Sequence, residues 1–411
     1  MEFFTKYKKI FLVIGFILIV FILGYLLYTV FFRQPKTQPS IKEPIISEIS
    51  TGLPQAKPGT GQVVEPIEPT GLSAEKTPSS KASSVALGGL TQINALNETP
   101  SLAATLSSKG DDLQYYNKTD EKFYRINKDG QATLMEDKVF HQVESVIWSP
   151  NKNKAILEYP DGTNVVYDFD NKKQITLPAH WKDFNFAPDG SKLVMKSIGL
   201  DPDNRWLAVV NEDGSRAQQL EPLGDKDKTV YPLWSPNNQT VAMFTEGVDF
   251  DRQEVYFVGL HKENFKSMVI NGRGFQPKWT PDGNELLYSV YSSNNNFKPT
   301  LWVANAIGDT IGNDRRLLNI ETWAEKCVFA NAIDLYCAVP NKLEEGSGIF
   351  EELSEHTKDN LYKINIKTGS KKLIATTNSS YNMSNLIISS DSSLLYFTDK
   401  INETLHKVNL K

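Results

Sequence analysis

The chain has 411 residues, with 44 basic and 49 acidic side chains and a formal net charge of −5. That balance lacks the basic footprint of a nucleic-acid binder. Two Cys cannot build a disulfide-dense scaffold or a four-Cys zinc site, and five His leave little for a His-based metal centre.

Residues 1–9 form a short tail. Residues 10–32 carry no charge between Lys9 and Arg33. As a helix this run would extend about 34 Å at 1.5 Å per residue, enough for a hydrocarbon core of about 30 Å. It is long for a signal peptide, so an uncleaved transmembrane anchor is expected. No Cys follows it, which argues against a lipoprotein. Lys6, Lys8 and Lys9 precede the run; Arg33, Lys36 and Lys42 follow it. The free amino terminus tips the balance toward a cytoplasmic N-terminus with the bulk exported, to a periplasm or a cell surface.

Residues 33–86 hold eight Pro and four Gly among Ser, Thr, Lys and Glu, and no aromatic residue occurs between Phe32 and Tyr115. Such a segment buries too little apolar surface to offset its ordering entropy and reads as a disordered tether. As a flexible coil it would span about 40 Å.

The remainder, 87–411, repeats itself. Four segments align: WSPNK (148–152), FAPDG (186–190), WSPNN (234–238) and WTPDG (279–283). Three more are degenerate: ATLSSKGDDLQYY (104–116), VFANAIDLY (328–336) and LIISSDSSLLYF (386–397). Each predicts a hairpin, because Pro presets φ for the first turn position and Gly or Asn tolerates positive φ. A variable loop and two further strands follow, as at 164–169, 205–210, 254–258, 300–304 and 360–364. Four antiparallel strands per unit of about 45 residues describe a propeller blade. Seven units are counted, with six as the other reading if 104–139 is irregular. The last unit shows only three strands; residues 90–96 are expected to supply the fourth and close the ring.

These turns resemble the TolB-like propeller repeat (WD40-like, PD40-type), often described by its W-S-P-D-G core. The resemblance covers 104–411 and is specific around Trp148, Phe186, Trp234 and Trp279. It implies an all-β propeller, and related propellers mostly act as rigid binding platforms. Function must still be argued from sites.

No G-x-S-x-G elbow and no phosphate-cradling glycine motif occurs. Ser149 and Lys152 match S-x-x-K but lie in a blade turn. His141, His180, His261, His356 and His406 fall in different blades without ligand spacing, so neither a metal nor a cofactor is expected, and catalytic residues are assigned to none. The seven Trp read as core.

Acidic residues are more suggestive. Loops between second and third strands carry Asp161, then Asp201 and Asp203, then Asp249 and Asp251, and should share one face. In the sixth unit this loop lengthens across 341–359 and holds Glu344, Glu345, Phe350, Glu351, Glu352 and Leu353. The set reads either as solvated loop charge or as a docking face for a basic or amphipathic protein. Two acids per loop fall short of a calcium site. Cys327 and Cys337 flank a predicted hairpin centred near Ala332, where they would face each other within disulfide range. The pair reads either as a disulfide, fitting an oxidising compartment, or as a reduced buried pair.

The sequence thus favours a membrane-anchored, extracytoplasmic, non-catalytic interaction platform at the cell envelope. The alternatives are a ligand- or glycan-binding sensor, or a propeller enzyme at the channel mouth. The enzyme would need acids and His on the innermost strands, which read as mainly apolar.

Overall fold

The computed structural model describes residues 18–25, 82–108, 110 and 112–411. Residues 18–25 are helical, with exposed apolar side chains. The tail at 1–9, the remainder of 10–32, and 33–81 of the expected tether lie outside the described residues. Among the described residues no helix is long and apolar enough to cross a membrane.

From residue 82 onward the chain forms a seven-bladed propeller. The blades span 101–134, 145–177, 181–222, 230–271, 273–317, 327–377 and 383–409, each an antiparallel sheet in chain order. Burial explains why the strands read as they do. In blade 2, Ala155, Ile156 and Leu157 on the second strand are all buried, whereas the outer strand Lys173–Leu177 is exposed except at Leu177. A middle strand packs against a neighbouring blade on each face, so apolar residues run without alternation; the rim strand faces water. Seven apolar clusters result, one between each pair of adjacent blades.

The turn chemistry recurs. The hydroxyl of Ser235, Thr280 or Ser389 donates to the side-chain oxygen of Asn237, Asp282 or Asp391, at 2.6–2.7 Å. The same hydroxyl accepts the backbone N–H of Thr240, Glu285 or Leu394, at or just before the start of the second strand. This is the Asx- and Ser/Thr-turn logic that favours these residues outside regular structure. The fifth motif position is left-handed in five turns of the repeat, with or without the hydroxyl: φ is 58° at Lys152, 75° at Gly190, 62° at Asn238, 70° at Gly283 and 54° at Ser392.

Ring closure draws on the residues before blade 1. Asn94–Ala95 pairs antiparallel with Leu405–Asn409 and supplies the outer strand of blade 7. The expected closing segment is therefore shorter than 90–96. Its first part goes elsewhere: Gly89–Thr91 adds in parallel to Lys371–Thr377 as a fifth strand of blade 6.

The innermost strands of blades 1, 3, 5 and 7 each carry a bulge. A positive-φ residue sits in every one: Ala103, Asp183, Gly274 and Asn385. A bulge shifts the two-residue alternation and re-aims the side chains beyond it. The channel wall is accordingly apolar in the main, as the sequence suggests, but also carries Asp183, Gln276 and Lys278.

Candidate functional site

Two surfaces are built by this architecture. The first is the face formed by loops joining second to third strands: 199–204, 248–251, 292–299 and 341–358 in blades 3 to 6. Antiparallel order places all of them at one end of the ring. Three are tied together. Phe250 and Phe297 meet edge to face with centroids 6.1 Å apart, joining blades 4 and 5. The N–H groups of Gly346 and Gly348 donate to the carbonyls of Asn296 and Phe297 at 2.9 and 2.8 Å, joining blades 5 and 6.

Along this face apolar side chains stand in water. Phe250 is 74% exposed and Phe350 60%, with Val248, Ile349 and Leu353 also exposed. Leu200 is fully exposed on the blade 3 loop.

The acids expected here divide by what they touch. Asp201 accepts the N–H of Asp203 at 3.1 Å and caps a short 3₁₀ turn. Asp161 likewise accepts the N–H of Thr163 at 2.8 Å. Asp249 pairs with Arg252 at 2.7 Å, and that bond holds its carboxyl below the ordinary range. Asp251 accepts from the backbone and hydroxyl of Ser293 across the blade boundary. Glu351 turns inward, where its carboxylate accepts from Gln276 at 2.7 Å. Burial, and then the nearby Glu325, push the Glu351 carboxyl up. Asp203, Glu344, Glu345 and Glu352 are exposed, and the three Glu share the blade 6 loop with Ile349, Phe350 and Leu353.

The second surface is the channel wall between blades 3 and 6. Tyr231, Leu233 and Pro277 form a continuous apolar stretch along it. Asp183 and the buried Lys196 pair at 2.6 Å toward blade 3. Toward blade 6, Lys278 donates to the carbonyl of Cys327, and burial pulls its ammonium down to about 8. Behind it Lys326 and Asp359, both buried, pair at 2.7 Å; Lys326 also donates to Asn382 at 2.8 Å.

Cys327 and Cys337 are register partners on the first two strands of blade 6, with Cα atoms 4.1 Å apart and their sulfurs bonded. They sit in the apolar cluster shared with blade 5. His406 is buried against Phe397 and Tyr381, and His141 contacts Glu121 at 2.6 Å. Among the described residues no group of three or more His, Cys, Asp or Glu could hold a metal ion.

Sequence reasoning misses Val248, Phe250, Phe297 and Ile349. The signal was present for two of them: Val248 and Phe250 alternate with Asp249 and Asp251 in a loop, where large apolar residues have no core to fill. It also misses Lys278, because a bulge cannot be read from alternation, and Glu325, which a short 3₁₀ turn ahead of blade 6 brings to the pocket.

No protein-family model matches the chain, and no curated protein does. Solved structures do resemble it. An oligogalacturonate lyase in complex with manganese is 14% identical at a TM-score of 0.51, covering 78% of this chain and 93% of its own. An oligogalacturonate lyase from Vibrio parahaemolyticus is 12% identical at 0.50, over 78% and 93%. The β-propeller domain of Cps50 (Swd1) from Myceliophteria thermophila is 11% identical at 0.51, over 78% and 100%. Identities this low speak to the propeller fold alone.

Proposed function

We propose that the chain is a membrane-anchored, extracytoplasmic propeller of the TolB-like kind that acts as a non-catalytic platform for a protein partner. One observation carries this reading: an exposed apolar strip, Val248, Phe250, Ile349 and Phe350, is locked across three blades and rimmed by acids. Exposed apolar clusters with polar rims mark interaction sites, and aromatic anchors dominate binding energy. The rim of Glu344, Glu345 and Glu352, with Asp203 on the neighbouring blade 3 loop of the same face, favours a partner with a basic, amphipathic segment, steering approach while the aromatics hold. Anchoring rests on the uncharged run 10–32, and an extracytoplasmic location on that run together with the cysteine pair.

A photo-crosslinking residue at Phe350 in the full chain tests the platform. A discrete protein adduct is expected in cells, lost on Phe250→Ser and weakened by joint Lys substitution of Glu344, Glu345 and Glu352. The same probe at Ile175, on the rim of blade 2, should give none. An adduct indifferent to these changes, or equal at both probe sites, overturns the reading.

A further inference from the structure

The channel wall of blades 4 to 6 lines an open pocket of about 560 Å³, a size typical of small-molecule sites. Tyr231, Leu233, Pro277 and Trp279 supply its apolar wall, and Lys278 and Glu325 line the same space. Gln276 is already engaged, donating to Glu351 at 2.7 Å and accepting from the Ser289 hydroxyl at 3.2 Å. Lys278 donates to one carbonyl, that of Cys327. An ammonium has three donors, so two remain for the cavity. Glu325 is exposed, lines the same pocket as Lys278 and lies within its electrostatic reach, yet the two make no direct ion pair among the described residues. A cation and an anion therefore line one pocket beside an apolar wall, without a direct ion pair between them.

We infer that this cavity binds a small zwitterion with an apolar body, namely an α-amino acid carrying a large hydrophobic side chain. Its carboxylate would accept from Lys278, its ammonium would donate to Glu325, and its side chain would lie along Tyr231, Leu233 and Pro277. A lone anion meets Glu325 at close range, and a lone cation meets Lys278. A neutral apolar molecule leaves both charges without a partner while displacing their water, which is costly. A molecule holding both signs two bonds apart satisfies both groups at once through charge-assisted hydrogen bonds. The proposal is independent of the docking strip, which lies on the loop face and shares neither residue.

Titration calorimetry on the detergent-solubilised full chain tests it. L-phenylalanine and L-leucine are expected to bind saturably. N-acetylphenylalanine, lacking the ammonium, and phenylalaninamide, lacking the carboxylate, should bind at least tenfold more weakly. Lys278→Met should abolish L-phenylalanine binding. Because that substitution also removes a bond to blade 6, Glu325→Gln, at an exposed position, provides the second arm. It should weaken L-phenylalanine while improving N-acetylphenylalanine relative to it. No saturable binding of either amino acid up to about 10 mM, equal binding of the blocked analogues, or indifference to Glu325→Gln overturns the assignment. Phe250→Ser, which tests the platform, should leave this binding unchanged.

Discussion

Gln276 on the innermost strand of blade 5 donates to Glu351 on the long loop of blade 6 at 2.7 Å, so the loop that presents Phe350 outward is fastened inward by the very next residue. The fastening has a pH signature. Burial raises the Glu351 carboxyl above its ordinary 4.5, with Glu325 adding to the shift. A raised acid binds its proton more tightly folded than unfolded, so stability declines as pH rises from the unfolded value through the folded one, and the deficit persists at neutrality. Glu351→Gln keeps an oxygen for Gln276 and removes the charge. Its melting temperature should exceed the parent's at pH 7 by about 1 °C, and the gap should close below pH 4.5; half exposure keeps the effect small. A constant gap across pH would contradict this origin.

The buried ion pair Lys326–Asp359 predicts a large asymmetry. Asp359→Ala strands the ammonium of Lys326 among buried groups and should cost about 3–5 kcal/mol in urea unfolding. Replacing both, as Lys326→Met with Asp359→Leu, should recover most of that loss. Equal destabilisation by the single and double changes would show that Asp359 acts through its bond from the Met383 N–H, at 2.7 Å, and not through the ion pair.

The Cys327–Cys337 bond closes a loop with a sequence separation of 10. Loop-closure entropy for that length gives about 2–3 kcal/mol, so Cys327→Ser with Cys337→Ser should lower stability by that amount, and reductant should lower the parent alone. Alkylation of native protein without reductant should modify neither sulfur. Two modified Cys would remove the support that the pair lends to an oxidising compartment.

Ser392 holds φ at 54°, where the repeat elsewhere uses Gly190 and Gly283. An L-residue in this region costs roughly 1 kcal/mol or slightly more. Ser392→Gly should therefore stabilise the protein by about 1 kcal/mol, read by chemical denaturation. Lys152 shares the conformation, but its carbonyl accepts from Gln114 at 2.8 Å, so it is the less clean test.

Much of the fold was legible because its punctuation is local. Where a turn has the Ser/Thr hydroxyl and the Asx side chain, the two satisfy one another within a few residues, so the motif survives in sequence. Seven blades could be counted even where Phe329 and Ile388 replace Trp. Closure was legible from an absence, the missing outer strand of blade 7. The parallel addition of Gly89–Thr91 was not, since nothing in three residues names a partner almost three hundred positions away. The site was less legible still. Phe350 and Leu353 stand out beside a run of acids, but the contact from Phe250 to Phe297 and the inward turn of Glu351 are tertiary facts. Lys278 faces the channel beyond the bulge at Gly274, and a one-residue shift reverses the facing of every following side chain.

The closure has a mechanical side. Residues 83–96 enter the ring beside the C-terminal strand, ahead of blade 1 in the sequence. A pull from that direction would load the bonds of Ser84 and Ala86 to Asn409 first, then the three ladder pairs of Gly89–Thr91 to blade 6, and only then the two pairs that Asn94 and Ala95 make with blade 7. The parallel strand thus works as a strain relief ahead of the latch: it can peel while the ring stays shut. Shortening it should lower the force at which the propeller opens in a single-molecule stretching experiment, while leaving heat stability nearly unchanged.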